Sequence, residues 1–319
     1  MIAIMFYICN RFHSSNTFHE SWVFNLLIKI LEILIILIIV CAVIGICNSI
    51  YNSKRFVIRK YNVKSSKLKK SLRICHLSDI HGWQYGDDNK NLIKAIDELN
   101  PDIIVFSGDI LTGSSPRKTW PLEKGLVREL ASRYPVYAAN GNHESELNWY
   151  YEDFGQFYDT YINDMSSFGV NLLNNDKMFL DEYGIRITGL ELPHEYFRKV
   201  IIRRMKDDYL DSMIGKPDED RFNLLIAHNP QYFPKYAKWG ADLVLSGHIH
   251  GGIIKLPLLG GVISPALILF PKYDGGLFEI GGHTMVLSRG LGTHTIPIRV
   301  FNPGELVVID LEADNGEAQ

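Results

Sequence analysis

Hydrophobic positions along this chain fall into two regimes. From residue 22 to 51 Leu, Ile and Val dominate without period, and residues 33–47 form an uninterrupted apolar run of fifteen. With its flanks the run reaches the roughly 20 residues a bilayer-spanning helix needs. It exceeds the roughly 7 to 15 residues of a signal-peptide core, lies far from the N-terminus and is followed by no clear small-x-small site, so an anchor is expected rather than a cleaved leader. Lys29 and Glu32, three apart on one helix face, mark the entry into hydrocarbon. Beyond residue 72 the pattern becomes that of a folded domain. Short apolar runs predict strands at 73–77, 102–106, 136–139, 185–190, 223–227, 242–245, 285–288 and 305–311. Leu92, Ile93, Ile96 and Leu99 recur at helical spacing and predict a helix over 89–99; a second is expected over 122–132. Strand, helix, strand order points to crossover units with parallel pairs, hence an α/β sandwich. The polar and aromatic stretch 144–220 is expected to supply helices and loops over the sheet. The expected organisation is an N-terminal extension (1–21), a transmembrane anchor (22–51), a basic juxtamembrane segment (52–72) and a catalytic domain (73–319).

Charge refines this picture. Lys and Arg total 33 against 36 Asp and Glu, a formal net charge of -3, which lacks the basic field that nonspecific nucleic-acid binding requires. No nucleic acid partner is expected. Lys54, Arg55, Arg59, Lys60 and Lys64 follow the apolar run while Arg11 is the one basic residue before the span, so the positive-inside rule puts the catalytic domain in the cytoplasm, unless 54–64 is already a strand of the folded domain. Of the four cysteines, Cys9, Cys41, Cys47 and Cys75, one lies beyond the anchor, so the catalytic domain forms no internal disulfide.

Five short clusters each closely follow an apolar strand: Asp79-Ile80-His81, Gly108-Asp109, Gly141-Asn142-His143-Glu144, His228-Asn229 and Gly247-His248-Ile249-His250-Gly251. Loops beyond the carboxyl ends of strands form the ligand crevice of an open α/β sheet, so all five should converge. Together they offer Asp, Asn and several His but no Cys, a mixed oxygen and nitrogen shell suited to divalent Mn, Fe, Zn or Co. Too many ligands are present for one tetrahedral ion. Two ions about 3.5 to 4 Å apart need a shared carboxylate, and they would lower the pKa of a shared water so that hydroxide is available near neutral pH. His76, inside the first strand, is expected to be a packing residue or a satisfied core histidine. Arg289 and His294, in glycine-rich surroundings, are equally readable as phosphate contacts or an ordinary turn. The aromatics over 149–157 read as packing or as a mouth for an apolar substrate.

The ordered set resembles the calcineurin-like metallophosphoesterase superfamily, whose pattern is D-x-H, G-D, G-N-H-[DE], H and G-H-x-H; it covers residues 73–311 with every block intact. The stretches His250-Gly251-Gly252, 271–276 and 288–292 further resemble a bacterial membrane-anchored branch similar to UDP-2,3-diacylglucosamine pyrophosphatases and cell-envelope phosphodiesterases. The resemblance implies an α/β/β/α four-layer sandwich preceded by one transmembrane helix. It also implies two divalent metal ions (Mn, Fe or Zn), Asp79, His81 and His250 on the first, Asn142, His228 and His248 on the second, and Asp109 between them. His143 would face the substrate and protonate the leaving oxygen or stabilise the transition state. Arg289 is carried as a substrate-binding candidate. The function implied is hydrolysis of a phosphodiester or pyrophosphate bond in a phosphate-containing small molecule or lipid at the membrane; a phosphomonoesterase, or a binding module without turnover, are the alternatives. Cutting the chain before Ser53 is expected to spare rates on small soluble esters.

Overall fold

The computed structural model describes residues 18–198, 202–252, 255–256, 260–264, 268–293 and 298–314. Arg11, Cys9 and His294, singled out above, lie outside the described residues. Helix α1 (Phe18–Ser53) turns apolar side chains outward on every side from Trp22 to Tyr51. Its 36 residues make a rod of about 54 Å at about 1.5 Å per residue, and Trp22–Ser53 is long and apolar enough to cross a membrane. The chain forms two compact units, Met1–Cys47 and Asn48–Gln319, so the last residues of α1 belong to the second unit, where Ser49 and Asn52 are 7% and 2% exposed.

The second unit is built on two six-stranded sheets. The first has the order β1 (Phe56–Ser65), β14 (Gly304–Ala313), β2 (Leu72–Leu77), β3 (Ile103–Phe106), β4 (Val136–Ala138), β5 (Asn171–Leu172). Its strands β2 to β5 run parallel, while β14 is antiparallel to β2 and parallel to β1. The second has the order β12 (Gly276–Ile280), β13 (His283–Leu287), β9 (Leu243–Ser246), β8 (Phe222–Ala227), β7 (Ile185–Leu190), β6 (Lys177–Leu180), parallel from β13 to β7 with an antiparallel strand at each edge. A separate hairpin joins β10 (Lys255–Leu256) to β11 (Gly260–Gly261).

Strand alternation makes the layers. Ile74, Val105, Val307 and Ile309 of the first sheet pack against Ile187, Leu224, Ile226, Leu243 and Val286 of the second. Their neighbours Cys75, Leu77, Phe106 and Val308 point the other way, onto α2 (Lys90–Leu99), α3 (Pro116–Ala131), α4 (Asn142–Trp149) and α5 (Tyr151–Ser167) through Leu92, Ile96, Leu126, Val127, Leu147 and Tyr161. On the far side, Leu225, Val244 and Met285 meet α6 (Tyr209–Ile214) and α7 (Phe233–Trp239) through Leu210, Phe233 and Tyr236. Successive residues of one strand thus serve different cores, as the two-residue period of an extended chain requires. The result is a helix, sheet, sheet, helix sandwich.

Two readings change. Residues 56–65, inside the segment read as juxtamembrane, are strand β1, paired with β14 along its whole length. Tyr61 and Val63 lean on the inter-sheet core while Lys60, Asn62 and Lys64 face water. A half-buried edge strand carries that mixed pattern, so Arg59, Lys60 and Lys64 are the solvated face of a strand rather than membrane-flanking charges. The expected helix over 122–132 starts earlier, at Pro116, whose missing N–H suits a first turn.

Glu123, on α3, is fully buried and its carboxyl has no hydrogen-bond partner among the described residues. Burial, and secondarily the charge of Glu144, push its pKa well above the carboxylate range. A raised native pKa means the folded state holds the proton that the unfolded chain releases. Its stabilisation is complete below the unfolded pKa and is lost as pH rises toward the native value, at up to about 1.4 kcal/mol per pH unit. Glu123→Gln is therefore expected to flatten the fall in melting temperature between pH 5 and pH 8; an unchanged pH slope in calorimetry would show that Glu123 does not ionise on unfolding.

Candidate metal centre

Each candidate ligand sits just past the carboxyl end of a parallel strand: Asp79 and His81 after β2, Asp109 after β3, Asn142 and His143 at the start of α4 after β4, His228 after β8, His248 and His250 after β9. Two sheets thus deliver side chains to one place, and the ligand atoms form three overlapping groups, each within 4.8 Å: Asp79, His81 and His250; His81, Asp109 and His143; Asp109, His228 and His248. Asp109 belongs to two of them. Its Oδ2 is 3.0 Å from His228 Nε2, 3.8 Å from His81 Nε2 and 4.0 Å from His143 Nε2. Asp79 Oδ1 lies 3.2 Å from His250 Nε2, and His81 Nε2 is 3.2 Å from His250 Nε2.

The backbone is bent to make this possible. Asp79, His81, Asp109, His248 and His250 all have positive φ, between 51° and 75°, a conformation that costs an L-residue about 1 kcal/mol or more and persists where the surroundings impose it. Five such residues around one cluster of acids and imidazoles fit a site shaped for cations. The buried Asn142 Oδ1, without a hydrogen-bond partner among the described residues, fits it too, because a buried carbonyl oxygen without a donor is otherwise costly. At Gly141 a Cβ would stand 2.2 Å from Asp109 Oδ1, so only glycine lets the start of α4 reach the shared carboxylate.

Electrostatics follow from crowding. Burial alone would raise Asp79 and Asp109, but His250 and His228 beside Asp79, and His228, His143 and His81 around Asp109, hold both carboxyls well below their usual range. Burial pushes His81 far down and His248 down to about 3, keeping both imidazoles neutral as metal ligands must be. Burial opposes the charged form of His228 as well, yet Asp109, Asp79 and the Ser107 carbonyl together lift it to about 9. A cation seated at Nε2 would take that proton's place.

His143 is oriented by its other nitrogen. Its Nδ1 accepts the Gly113 N–H at 2.9 Å, so a neutral ring carries its proton on Nε2, the nitrogen facing Asp109. The backbone N–H of His143 donates to Asp109 Oδ1 at 2.9 Å. Glu144, to which the sequence reading gives no role, holds this corner together: its carboxylate accepts the N–H groups of Asp109, Leu111 and Gly141 at 2.8 to 2.9 Å. Burial, then the charge of Asp109, raise it to about 7. The acidic slot after Gly-Asn-His was the available signal.

Other candidates fall elsewhere. His76 is a buried core histidine, satisfied at one nitrogen: Nε2 lies 2.7 Å from Ser107 Oγ, while Nδ1 has no hydrogen-bond partner among the described residues. Arg289 Nε lies 3.5 Å from the buried Glu305 carboxylate, and its stem packs beside Gly251 and Gly275. The aromatic stretch divides. Phe154, Phe157 and Tyr158 pack on the helix-side core, whereas Trp149 stacks on His194 at 5.0 Å and touches Phe197, which meets His248 edge-on at 5.2 Å.

The profile of calcineurin-like phosphoesterases matches residues 72–252. The chain is 28% identical over 274 residues to "Uncharacterized metallophosphoesterase YkuE" of Bacillus subtilis, covering 80% of this chain and 85% of that protein. It is 27% identical over 289 residues to "Transmembrane protein with metallophosphoesterase domain" of Danio rerio, covering 87% of this chain and 62% of that protein. Among solved structures, phosphopantetheinyl hydrolase of Mycobacterium tuberculosis overlaps with a TM-score of 0.40 at 14% identity, covering 67% of this chain and 87% of that one. With the profile spanning more than half of the chain across all five ligand-bearing loops, the protein belongs to the calcineurin-like phosphoesterase family and is a metal-dependent phosphoesterase.

Proposed function

We propose that the protein hydrolyses phosphodiester or pyrophosphate bonds with two divalent cations, Mn, Fe or Zn, in substrates presented at a membrane. Asp79, His81 and His250 hold the first cation, Asn142, His228 and His248 the second, and Asp109 joins them. The observation that carries this is the position of Asp109 Oδ2, within 4.0 Å of imidazole nitrogens from three different loops. When bound, the cations supply charge that neutralises nonbridging phosphate oxygens and lowers the pKa of a shared water. The protein's own part is orientation and a hydrogen bond to the leaving oxygen. Asp109, fixed through its own N–H by Glu144, keeps the two seats in register. His143, its Nδ1 occupied by Gly113, presents Nε2–H to the leaving oxygen as negative charge builds there.

Placement at a membrane is supported by the outward-facing apolar surface of α1 and by the transmembrane description of the Danio rerio relative. On this reading α1 crosses once, with the catalytic domain on the cytoplasmic side and Lys54 and Arg55 just beyond the span. A Lys54→Cys variant that also carries Cys9→Ser, since the native Cys9 precedes the span, tests the side in intact cells: protection from a membrane-impermeant thiol reagent is expected, and labelling would reverse the orientation. The chemistry is tested with the full chain in detergent and Mn, on bis- and mono-p-nitrophenyl phosphate and on a nucleotide diphosphate lipid. Faster turnover of the diester or the anhydride is expected; preference for the monoester would establish a phosphomonoesterase instead.

A further inference from the structure

The end of α1 contains polar residues that neither a membrane helix nor a plain linker requires. Asn48, Ser49 and Asn52 follow the apolar run directly, and Ser49 and Asn52 are buried in a helix whose side chains from Trp22 to Cys47 are exposed or half exposed. All three reach residues about 250 positions away. Ser49 Oγ accepts the N–H of Arg299 at 2.9 Å, Asn52 Nδ2 donates to the Arg299 carbonyl at 3.2 Å, and Asn48 Oδ1 accepts the N–H of Phe301 at 2.6 Å. Asn48 Oδ1 also accepts from Asn52 Nδ2 at 2.7 Å, so the three act as one unit. On the other side of the helix end, Trp83 Nε1 donates to the Ser53 carbonyl at 2.8 Å, two residues from His81.

The segment so held grips the candidate metal loops. Arg299 is buried, and its guanidinium donates to the carbonyls of Arg289, Gly290 and Gly292, and to those of Asn302 and Pro303. Residues 290–292 in turn lie on the Asp79 loop: Leu291 N–H donates to Ser78 O at 3.0 Å and Gly292 N–H to Asp79 O at 2.7 Å. A Cβ on Gly292 would stand 1.8 Å from Ile80 O. Asn302 Nδ2 donates to the carbonyls of His250 and Gly252 at 2.6 and 2.9 Å. Asp79 and His250 both hold strained positive φ, which is where such outside restraint is needed. They belong to the same group of candidate ligands, together with His81. The second group is braced differently: His228 Nδ1 lies 2.7 Å from the Ser107 carbonyl, and the Asn142 corner hangs on Glu144.

We propose that the end of α1, through Arg299 and Asn302, is the positioning element of the first cation site, so that filling that site depends on the helix end. The proposal rests on the two-cation reading above. Ser49, Asn52, Arg299 and Asn302 are positioning residues: they touch neither substrate nor cation and act through the backbone of Asp79 and His250. One consequence revises an expectation from the sequence: a chain cut before Ser53 lacks Asn48, Ser49 and Asn52, and so is impaired on small soluble esters as well as at membranes.

The test uses the full chain in detergent micelles equilibrated at stepped free Mn concentrations, with bound Mn per chain measured by mass spectrometry. The wild type is expected to hold two ions. Ser49→Ala combined with Asn52→Ala should hold one at free Mn levels that fill both wild-type sites. Its missing ion should return at roughly 10- to 100-fold higher Mn, the usual loss when a ligand's supporting contacts are removed. Adding His250→Ala to that pair should remove no further ion, since both changes act on one site. Ser49→Thr keeps the hydroxyl and should bind as the wild type does. Asn223→Ala, an equally buried polar truncation at the opposite end of β8, should lower the melting temperature without changing Mn stoichiometry. Should the helix variants fail to fold, Asn302→Ala, which leaves the helix intact, must show the same loss. Two ions held with wild-type affinity in the helix variants, or in Asn302→Ala, overturn the proposal. Fewer than two ions in the wild type would instead defeat the two-cation reading itself.

Discussion

Asp109→Asn is expected to abolish turnover, by at least about 10³-fold, while the far-ultraviolet circular dichroism of the protein stays unchanged. The substitution is isosteric, and Asn retains an acceptor for the His143 N–H that Asp109 Oδ1 now receives at 2.9 Å. What it removes is the charge shared between the group around His81 and the group around His228. Two cations held close together repel, and the shared carboxylate is the side chain that offsets this. At least one ion per chain should therefore be lost on metal analysis. Two ions and wild-type turnover in this variant would show that Asp109 does not join the sites.

His143→Ala or His143→Gln should lower kcat by about 10² to 10⁴, the usual span of a general acid or base, with metal content unchanged. The unchanged metal content separates this variant from Asp109→Asn. His143 is buried at the edge of the cluster, held through Nδ1 by the Gly113 N–H, and turns Nε2 toward Asp109 without belonging to either proposed cation seat. If its Nε2–H stabilises the charge building on the leaving oxygen, its loss matters least where that oxygen is already a good leaving group. A series of aryl phosphodiesters should then show the deficit shrinking as the leaving phenol becomes more acidic. A uniform deficit across the series would show that His143 does not act on the leaving oxygen.

Much of the strand framework is legible in the periodicity, because the core strands are largely apolar on both faces and bounded by turns. The observed β2, β3, β4, β7, β8, β9, β13 and β14 lie within about two residues of their expected ends. Both faces are apolar because both are buried, one by helices and one by the opposite sheet. Edge strands β6 and β12 escaped the reading, and β1 entered it only as the alternative over 54–64, for the converse reason: each is half exposed, and Lys60, Lys64, Lys177 and Glu279 interrupt the pattern. The candidate ligands were legible because their chemistry is unusual for strand ends, and because a parallel sheet gathers the loops at the carboxyl ends of its strands along one edge. The structure brings Asp79, His81, Asp109, His143, His228, His248 and His250 together, a convergence that order along the chain could suggest but not measure.

The sequence by itself determined the family of chemistry, the sandwich and the existence of a helix fit for a membrane. These depend on composition, local period and the order of short motifs. The tertiary structure decided whatever depends on contacts between distant residues. The tautomer of His143 comes from the Gly113 N–H, thirty positions away. The basic residues of β1 became a strand face because β14 pairs with them. Arg289 came to lie with its Nε 3.5 Å from Glu305. The end of α1 became part of the domain because Asn48, Ser49 and Asn52 find their partners in residues 299–301. No periodicity records such pairings: a hydrogen bond across 250 residues leaves no local pattern, and it forms only when folding brings its two ends within about 3 Å.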